Sequence, residues 1–356
     1  MDSHPQSRVV NAQPAGIGRI VSLGRGCAWS NLGRNVVFAD ASLRPMAVFG
    51  DTVFPDDDEA SQFDLDIHAI IALARGQIAV LNHLGLVRLF EPPPVSGPPA
   101  LGPGCEEAGR LDFVPDVERA VALGDRLVTS RPRGQRLAGV LVTQPVETGR
   151  ERIDADTAHE SFGFVSALAA ETAPDGTGWV ALGGEGRVRL VEADHGHLGA
   201  VRWEAPVDFL TGVLVAWGST LWAAGSASGG AGLDDYDWER LGGGGLVQLG
   251  LDSGAVLASA RFGADLAWGS GGVPMVVADG LPCGVGRRGD VHVLPPGEPV
   301  TTRLTGPLAS DPLGIAHAAV VGDQLVFGFN RGGYRLHRVG LGSIRRISPS
   351  LPDRRA

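Results

Sequence analysis

Short apolar runs recur along this chain in sets of three, and that long-period repeat constrains the fold more than any other feature. Each set has a strong run, a tight turn rich in Gly or Asp, a second run, another turn and a third run. The clearest sets are 69–73, 77–81 and 86–90; 120–123, 125–129 and 139–142; 166–169, 178–182 and 187–191. Further sets are 213–217, 220–224 and 245–249; 273–277, 281–285 and 290–294; 318–321, 324–327 and 334–337; a weaker first copy is 27–29, 35–39 and 44–48. First runs begin near residues 26, 68, 118, 164, 212, 273 and 316. Helical periodicity is almost absent, and runs of roughly four to eight residues bounded by Gly, Pro and Asp are strand signals. A fourth, more polar run often follows, as at 200–204 and 256–260. One such four-stranded sheet exposes two apolar faces and cannot stay folded alone. Packing the sheets side by side buries the faces, and closing the series into a ring removes its ends. Inner runs are nearly continuous in apolar residues and outer ones alternate, as expected for strands buried on both faces inside and half-exposed outside.

Composition narrows the function. The 356 residues are 44% hydrophobic, enough for a large core, and 53 Gly with 24 Pro make the chain rich in turns. Forty acidic residues against 30 basic ones leave a net charge of −10, which argues against a nucleic-acid binder with its basic face. Every basic residue is Arg, the mark of codon bias in a GC-rich genome. That removes a Schiff-base lysine and the lysine of a P-loop. Cys27, Cys105 and Cys283 are far apart and form no CxxC pair, so they are read as structural thiols. No basic, then apolar, leader opens the chain. The uncharged stretch 209–233 is broken by six glycines and reads as two strands and a loop, not a membrane helix. The expectation is a soluble cytoplasmic protein with no membrane insertion.

Four antiparallel strands per repeat is the blade of a β-propeller. The chain resembles the broad seven-bladed β-propeller superfamily, the WD-repeat, YVTN and quinoprotein-like class, over residues 16–348. The expected fold is therefore all-β, a seven-bladed propeller of four-stranded antiparallel blades. It is flanked by a flexible tail at 1–15 and a short tail at 349–356. No blade ends in Trp-Asp, and the tryptophan-docking pattern of quinoproteins is missing, so no cofactor is expected. Closure of the ring needs one more outer strand, supplied either by 18–22 or by 343–347.

A propeller's function lies in its loops and at the channel mouth. The resemblance places loops entering the innermost strands on the same face as loops between second and third strands. The first set carries acids: Asp64, Asp66, Asp112, Asp116, Asp154, Asp156, Glu160, Asp208, Asp265 and Asp311. The second carries Arg131, Arg133, Arg287, Arg288 and Arg331. One reading is a ring of salt bridges and turn caps. The other is a polar funnel, with Arg287 and Arg331 binding an anionic group. His68, His159 and His317 open or precede inner strands and are weak metal candidates; satisfied structural histidines are the simpler reading. The segment 194–197 reads as an exposed turn on the opposite face, 51–66 as a solvated acidic loop, and 92–99 as a stiff connector.

The longest insertion falls in the fifth repeat, where Asp235, Tyr236, Asp237, Trp238 and Arg240 lie between Gly-rich flanks. Aromatics among charges on a loop suit a contact patch, and residues i and i+2 of an extended segment point the same way. A plug over the channel mouth is the equal alternative. No Gly-x-Ser-x-Gly elbow or nucleophile–base pair is visible. The leading expectation is a non-catalytic protein-interaction scaffold that uses this loop and has a protein partner. The rival is a propeller enzyme or small-ligand or metal-binding protein acting at the channel mouth. In it Asp66 or Asp265 serves as base or metal ligand, and Arg287 or Arg331 holds an anion.

Overall fold

In the computed structural model the described residues are 8–10, 17–24, 26–31, 35–49, 67–74, 76–82, 86–93, 107–112, 119–124, 126–130, 141–145, 154–156, 162–195, 197–227, 244–262, 275–278, 281–286, 288–293, 302–304, 308, 316–329 and 336–342. They contain 26 strands in six antiparallel sheets. The first strand, β1 (Arg8–Val10), stands apart from the sheet that follows it. That sheet is β2 (Ile17–Ser22), β3 (Gly26–Asn31), β4 (Asn35–Asp40) and β5 (Pro45–Phe49). The second is β6 (Ile67–Ala72), β7 (Ile78–Asn82), β8 (Leu86–Phe90) and β9 (Glu107–Asp112). The third is β10 (Arg119–Leu123), β11 (Arg126–Ser130), β12 (Leu141–Pro145) and β13 (Asp154–Asp156).

A six-stranded sheet follows: β14 (Ala167–Thr172), β15 (Thr177–Asp194), β16 (His197–Trp217), β17 (Thr220–Ala227), β18 (Gly244–Gly250) and β19 (Val256–Phe262). Fully extended, β15 would be about 60 Å long. Yet the Gly176 carbonyl just before it accepts from the His195 N–H just after it, at 2.9 Å, so β15 doubles back on itself. β16 likewise has two halves with different partners. It pairs with β15 from His197 to Leu210 and with β17 from Phe209 to Trp217.

The chain then makes β20 (Met275–Ala278), β21 (Leu281–Val285), β22 (Val291–Val293) and β23 (Thr302–Arg303). The last sheet is β24 (Ala316–Val321), β25 (Gln324–Phe329) and β26 (Leu336–Gly340), with β1 completing it on the far side of β26. Val9 lies opposite His337 in that pair.

Two expectations change here. The first repeat opens with β2, so the run at 27–29 is its second strand, and 18–22 is an inner strand rather than a closing one. The closing strand is Arg8–Val10, inside the segment expected to be a tail; 343–347 lies outside the described residues. The phase was hidden because Gly18 and Arg19 interrupt the apolar run of β2, whose register slips between Ile17 and Ile20. The second, third, sixth and seventh repeats keep their expected phase.

The cores lie between consecutive sheets. Ala28, Val36 and Phe38 pack on Ile67, Ile70 and Ile78; Leu81 and Leu89 pack near Leu127; Leu123 and Val128 pack on Val180 and Leu182. Trp179 and Leu190 meet Leu221 and Leu249, and Trp222 and Phe262 meet Met275, Cys283 and Phe327. Cys27, Trp29 and Val37 of the first sheet pack on Val321, Val326 and Leu336 of the last. The first strands touch in the same order, β2 to β6, β10, β14, β16, β20 and β24, and β24 touches β2. The series therefore closes. Each buried Leu, Val, Ile or Phe in it contributes roughly 1.5–3 kcal/mol relative to exposure.

Candidate functional site

The ends of the hairpins decide where the candidate residues sit. Tyr236, Trp238, Asp235, Asp237, Arg240, Arg287, Arg331 and His159 lie outside the described residues. Their roots are described. β17 and β18 pair as far as Ser226 opposite Gly244, on either side of the segment 228–243. The neighbours of Arg287 in sequence, Gly286 and Arg288, lie in the turn from β21 to β22.

That turn is the best-defined polar feature. The Gly286 N–H donates to the Asp290 carbonyl at 2.7 Å, and the Gly289 N–H donates to the Gly286 carbonyl at 2.9 Å. Gly289 has φ +83°, a region that side chains rarely adopt, and a Cβ there would lie 2.7 Å from Leu308. Two further backbone bonds reach this end of the sheet, from the Leu304 N–H to the Val291 carbonyl and from the Leu308 N–H to the Arg288 carbonyl.

Beneath the turn, His292 Nε2 lies 2.5 Å from Asp290 Oδ2, and Arg303 Nη2 donates to the same oxygen at 3.0 Å. A carboxylate only accepts, so Nε2 carries the proton. Asp290 and His292 are buried; the Arg303 side chain is 51% exposed. Burial pushes the Asp290 carboxyl upward, but the hydrogen bonds from His292 and Arg303 together outweigh it and hold the group below its ordinary value.

A second network braces the fourth repeat. Arg189 Nε donates to Glu204 Oε2 at 2.7 Å, and Arg187 reaches Glu204 Oε1 at 3.5 Å. Arg187 Nη2 also donates to the Phe162 carbonyl at 2.7 Å. Both guanidiniums lie over the buried Phe162 ring, 5.0 and 5.1 Å from its centroid. The segment entering β14 is thereby tied to the third and fourth passes of its own sheet.

The acids expected in loops are partly redistributed. Asp154 and Asp156 fall in β13, and Asp112 ends β9. Asp208 pairs with Arg261 of β19, an outer strand. Asp194, His195 and His197 are exposed, Asp194 pairs with His197, and His195 has φ 47°.

His68 is buried in β6 and His317 half-buried in β24. Both of these first strands contact β2, which lies between them. Among the described residues no three His, Cys, Asp or Glu side chains are grouped so that they could hold a metal ion. Cys27 and Cys283 are buried thiols outside any disulfide; burial first, and the Asp40 charge second, push Cys27 up to about 12.

The sequence reading missed Asp290, His292 and Arg303 as a unit, and Phe162 with Arg187, Arg189 and Glu204. The signal was present in the spacing. Arg187 and Arg189 are i and i+2 in β15 and so share a face, and Asp290 directly precedes β22, two residues before His292.

No family model matches the chain, and no curated protein matches it. A solved structure does. The crystal structure of the β-propeller domain of Cps50 (Swd1) from Myceliophteria thermophila matches 94% of this chain and 99% of that one, with TM-score 0.62 and 11% identity. The likeness shows the fold: this is an all-β protein with the β-propeller architecture.

Proposed function

We propose that this protein is a non-catalytic protein-interaction scaffold. It is a single ring of seven four-stranded blades through residues 16–348, with Arg8–Val10 added as the last outer strand. Counted by passes of the chain, the six-stranded sheet supplies two blades, because β15 doubles back and β16 serves both. The contact face carries the second-to-third connections, among them the segment with Asp235, Tyr236, Asp237, Trp238 and Arg240, and the turns with Arg287 and Arg331. The partner is a protein, reached without nucleic acid or membrane insertion, in the cytoplasm. No described helix is long and apolar enough to cross a membrane.

One observation carries this reading. The buried ionic groups of the two described networks are engaged in fastening loops to sheets, Asp290 with His292 and Arg303, and Arg189 with Glu204 over Phe162. Groups so engaged build a rigid rim for a docking face. The test is capture of partners from native lysate by tagged protein, compared with the Tyr236→Ala/Trp238→Ala double variant. Loss of specific partners with unchanged thermal melting supports the reading. An unchanged set of captured proteins sinks the loop assignment.

A further inference from the structure

The turn between β21 and β22 has an unbalanced charge that its own framework does not consume. Arg288 is exposed and has no ion-pair partner among the described residues. Arg303 is half exposed and shares one oxygen of Asp290 through Nη2. The Asp290 carboxylate is buried and already holds both His292 and Arg303, so it is not available to Arg288. Arginine outnumbers aspartate in this stretch, on a chain of net charge −10. Beside them Leu308, whose N–H is bonded to the Arg288 carbonyl at 2.8 Å, is 38% exposed.

We propose that the corner formed by Arg288, Arg303 and Leu308 binds a linear segment of a partner protein in which a carboxylate side chain neighbours an apolar one. The carboxylate sits on the guanidiniums and the apolar group on Leu308. The proposal rests on the reading of this face as a contact surface. Three features support it. Two backbone bonds within the turn and two from Leu304 and Leu308 pin the corner, so little ordering entropy is lost on binding. A guanidinium fork suits a carboxylate. The negative field of the whole chain opposes nucleic acid.

The test is fluorescence anisotropy of a labelled peptide carrying Glu next to Leu between Gly-Ser spacers, titrated with the full chain. Arg288→Glu is the probe variant, since Arg288 is exposed and its loss leaves no buried charge behind. We expect binding that weakens with added salt, falls about tenfold in Arg288→Glu, and falls about tenfold when Gln replaces Glu in the peptide. Unaltered thermal melting of the variant confirms that it folds. No binding, equal binding of the Glu and Gln peptides, or indifference to Arg288→Glu overturns the proposal. So does tighter binding of a phosphoserine version, or displacement by single-stranded DNA. The Tyr236→Ala/Trp238→Ala variant separates the two sites. Peptide binding retained in it supports the corner whether or not partner capture survives. Peptide binding lost in it places the peptide elsewhere and overturns the proposal.

Discussion

His292 and Asp290 stand two residues apart at the start of β22, and the 2.5 Å contact between Nε2 and Oδ2 is buried on both sides. The pair, with Arg303, is what fixes the loop-bearing end of this sheet. Replacing the carboxylate by an amide keeps the shape and removes the charge. Asp290→Asn should therefore lower stability by about 2 kcal/mol, the worth of hydrogen bonds to a buried charged group. Urea unfolding measures it. A variant as stable as the parent would show that the network is ornamental.

The same carboxylate sets an acid limb. Its folded value lies below the ordinary one, so the unfolded chain takes up a proton first as pH falls. The contribution is complete above the unfolded value of about 3.9 and disappears as pH drops through the lower folded value. Melting curves of the parent and of Asp290→Asn should stand apart at neutral pH and converge in strong acid. A gap independent of pH would mean that the charge of Asp290 is not what holds the turn.

Close approach of backbones makes a sharper prediction at β17. A Cβ on Gly225 would overlap the Leu210 carbonyl, a backbone atom of β16 that cannot rotate away. Gly340, in β26, has open space where its Cβ would be. Gly225→Ala should cost about 3 kcal/mol or more, while Gly340→Ala should change stability by about 0.5 kcal/mol or less. Denaturant midpoints of the two variants, read side by side, decide it; equal midpoints would refute the tight packing of β16 on β17.

Much of this architecture was legible because apolar runs and Gly turns are local signals. The runs at 69–73, 77–81 and 86–90 became β6, β7 and β8 nearly to the residue. What stayed hidden was non-local. Arg8–Val10 is only three residues long and is made a strand by β26, more than 300 positions away, so nothing in its own neighbourhood announces it. The phase of the first repeat was lost for the same reason, since the apolar run of β2 is interrupted and β2 owes its place to its neighbours β6 and β24. Among candidate residues, the loop arginines and aromatics were chosen by type. Asp290 was passed over as a strand residue because its partner Arg303 comes from a two-residue strand that carries no run of its own.

Closure by the N-terminal strand has a direct consequence. Without residues 1–10, the last sheet has three strands, and the outer edge of β26 loses its partner at Leu336, His337 and Arg338. His337, stacked on Phe327 at 5.3 Å, would lose the cover of the strand opposite it. Two or three ladder bonds at about 1 kcal/mol each suggest a fall in melting temperature of about 5 °C for the truncated chain. Calorimetry reads it. Identical melting would mean that β1 contributes nothing to holding the ring shut.

Thiol chemistry offers a last check on the closing core. Cys27 packs with Trp29 and Val37 against Val326 and Leu336, at the junction where the first and last sheets meet. Its thiol is pushed up to about 12, by burial first and by Asp40 second. At pH 8 only about one molecule in ten thousand would carry the thiolate, even with access granted. In a Cys105→Ser background, a thiol reagent should therefore leave Cys27 untouched in the native protein and label it on unfolding in urea. Deleting residues 1–10 should speed that labelling if the junction opens from its outer edge. Prompt modification of Cys27 in the intact chain would mean that the first and last sheets are not packed together in solution.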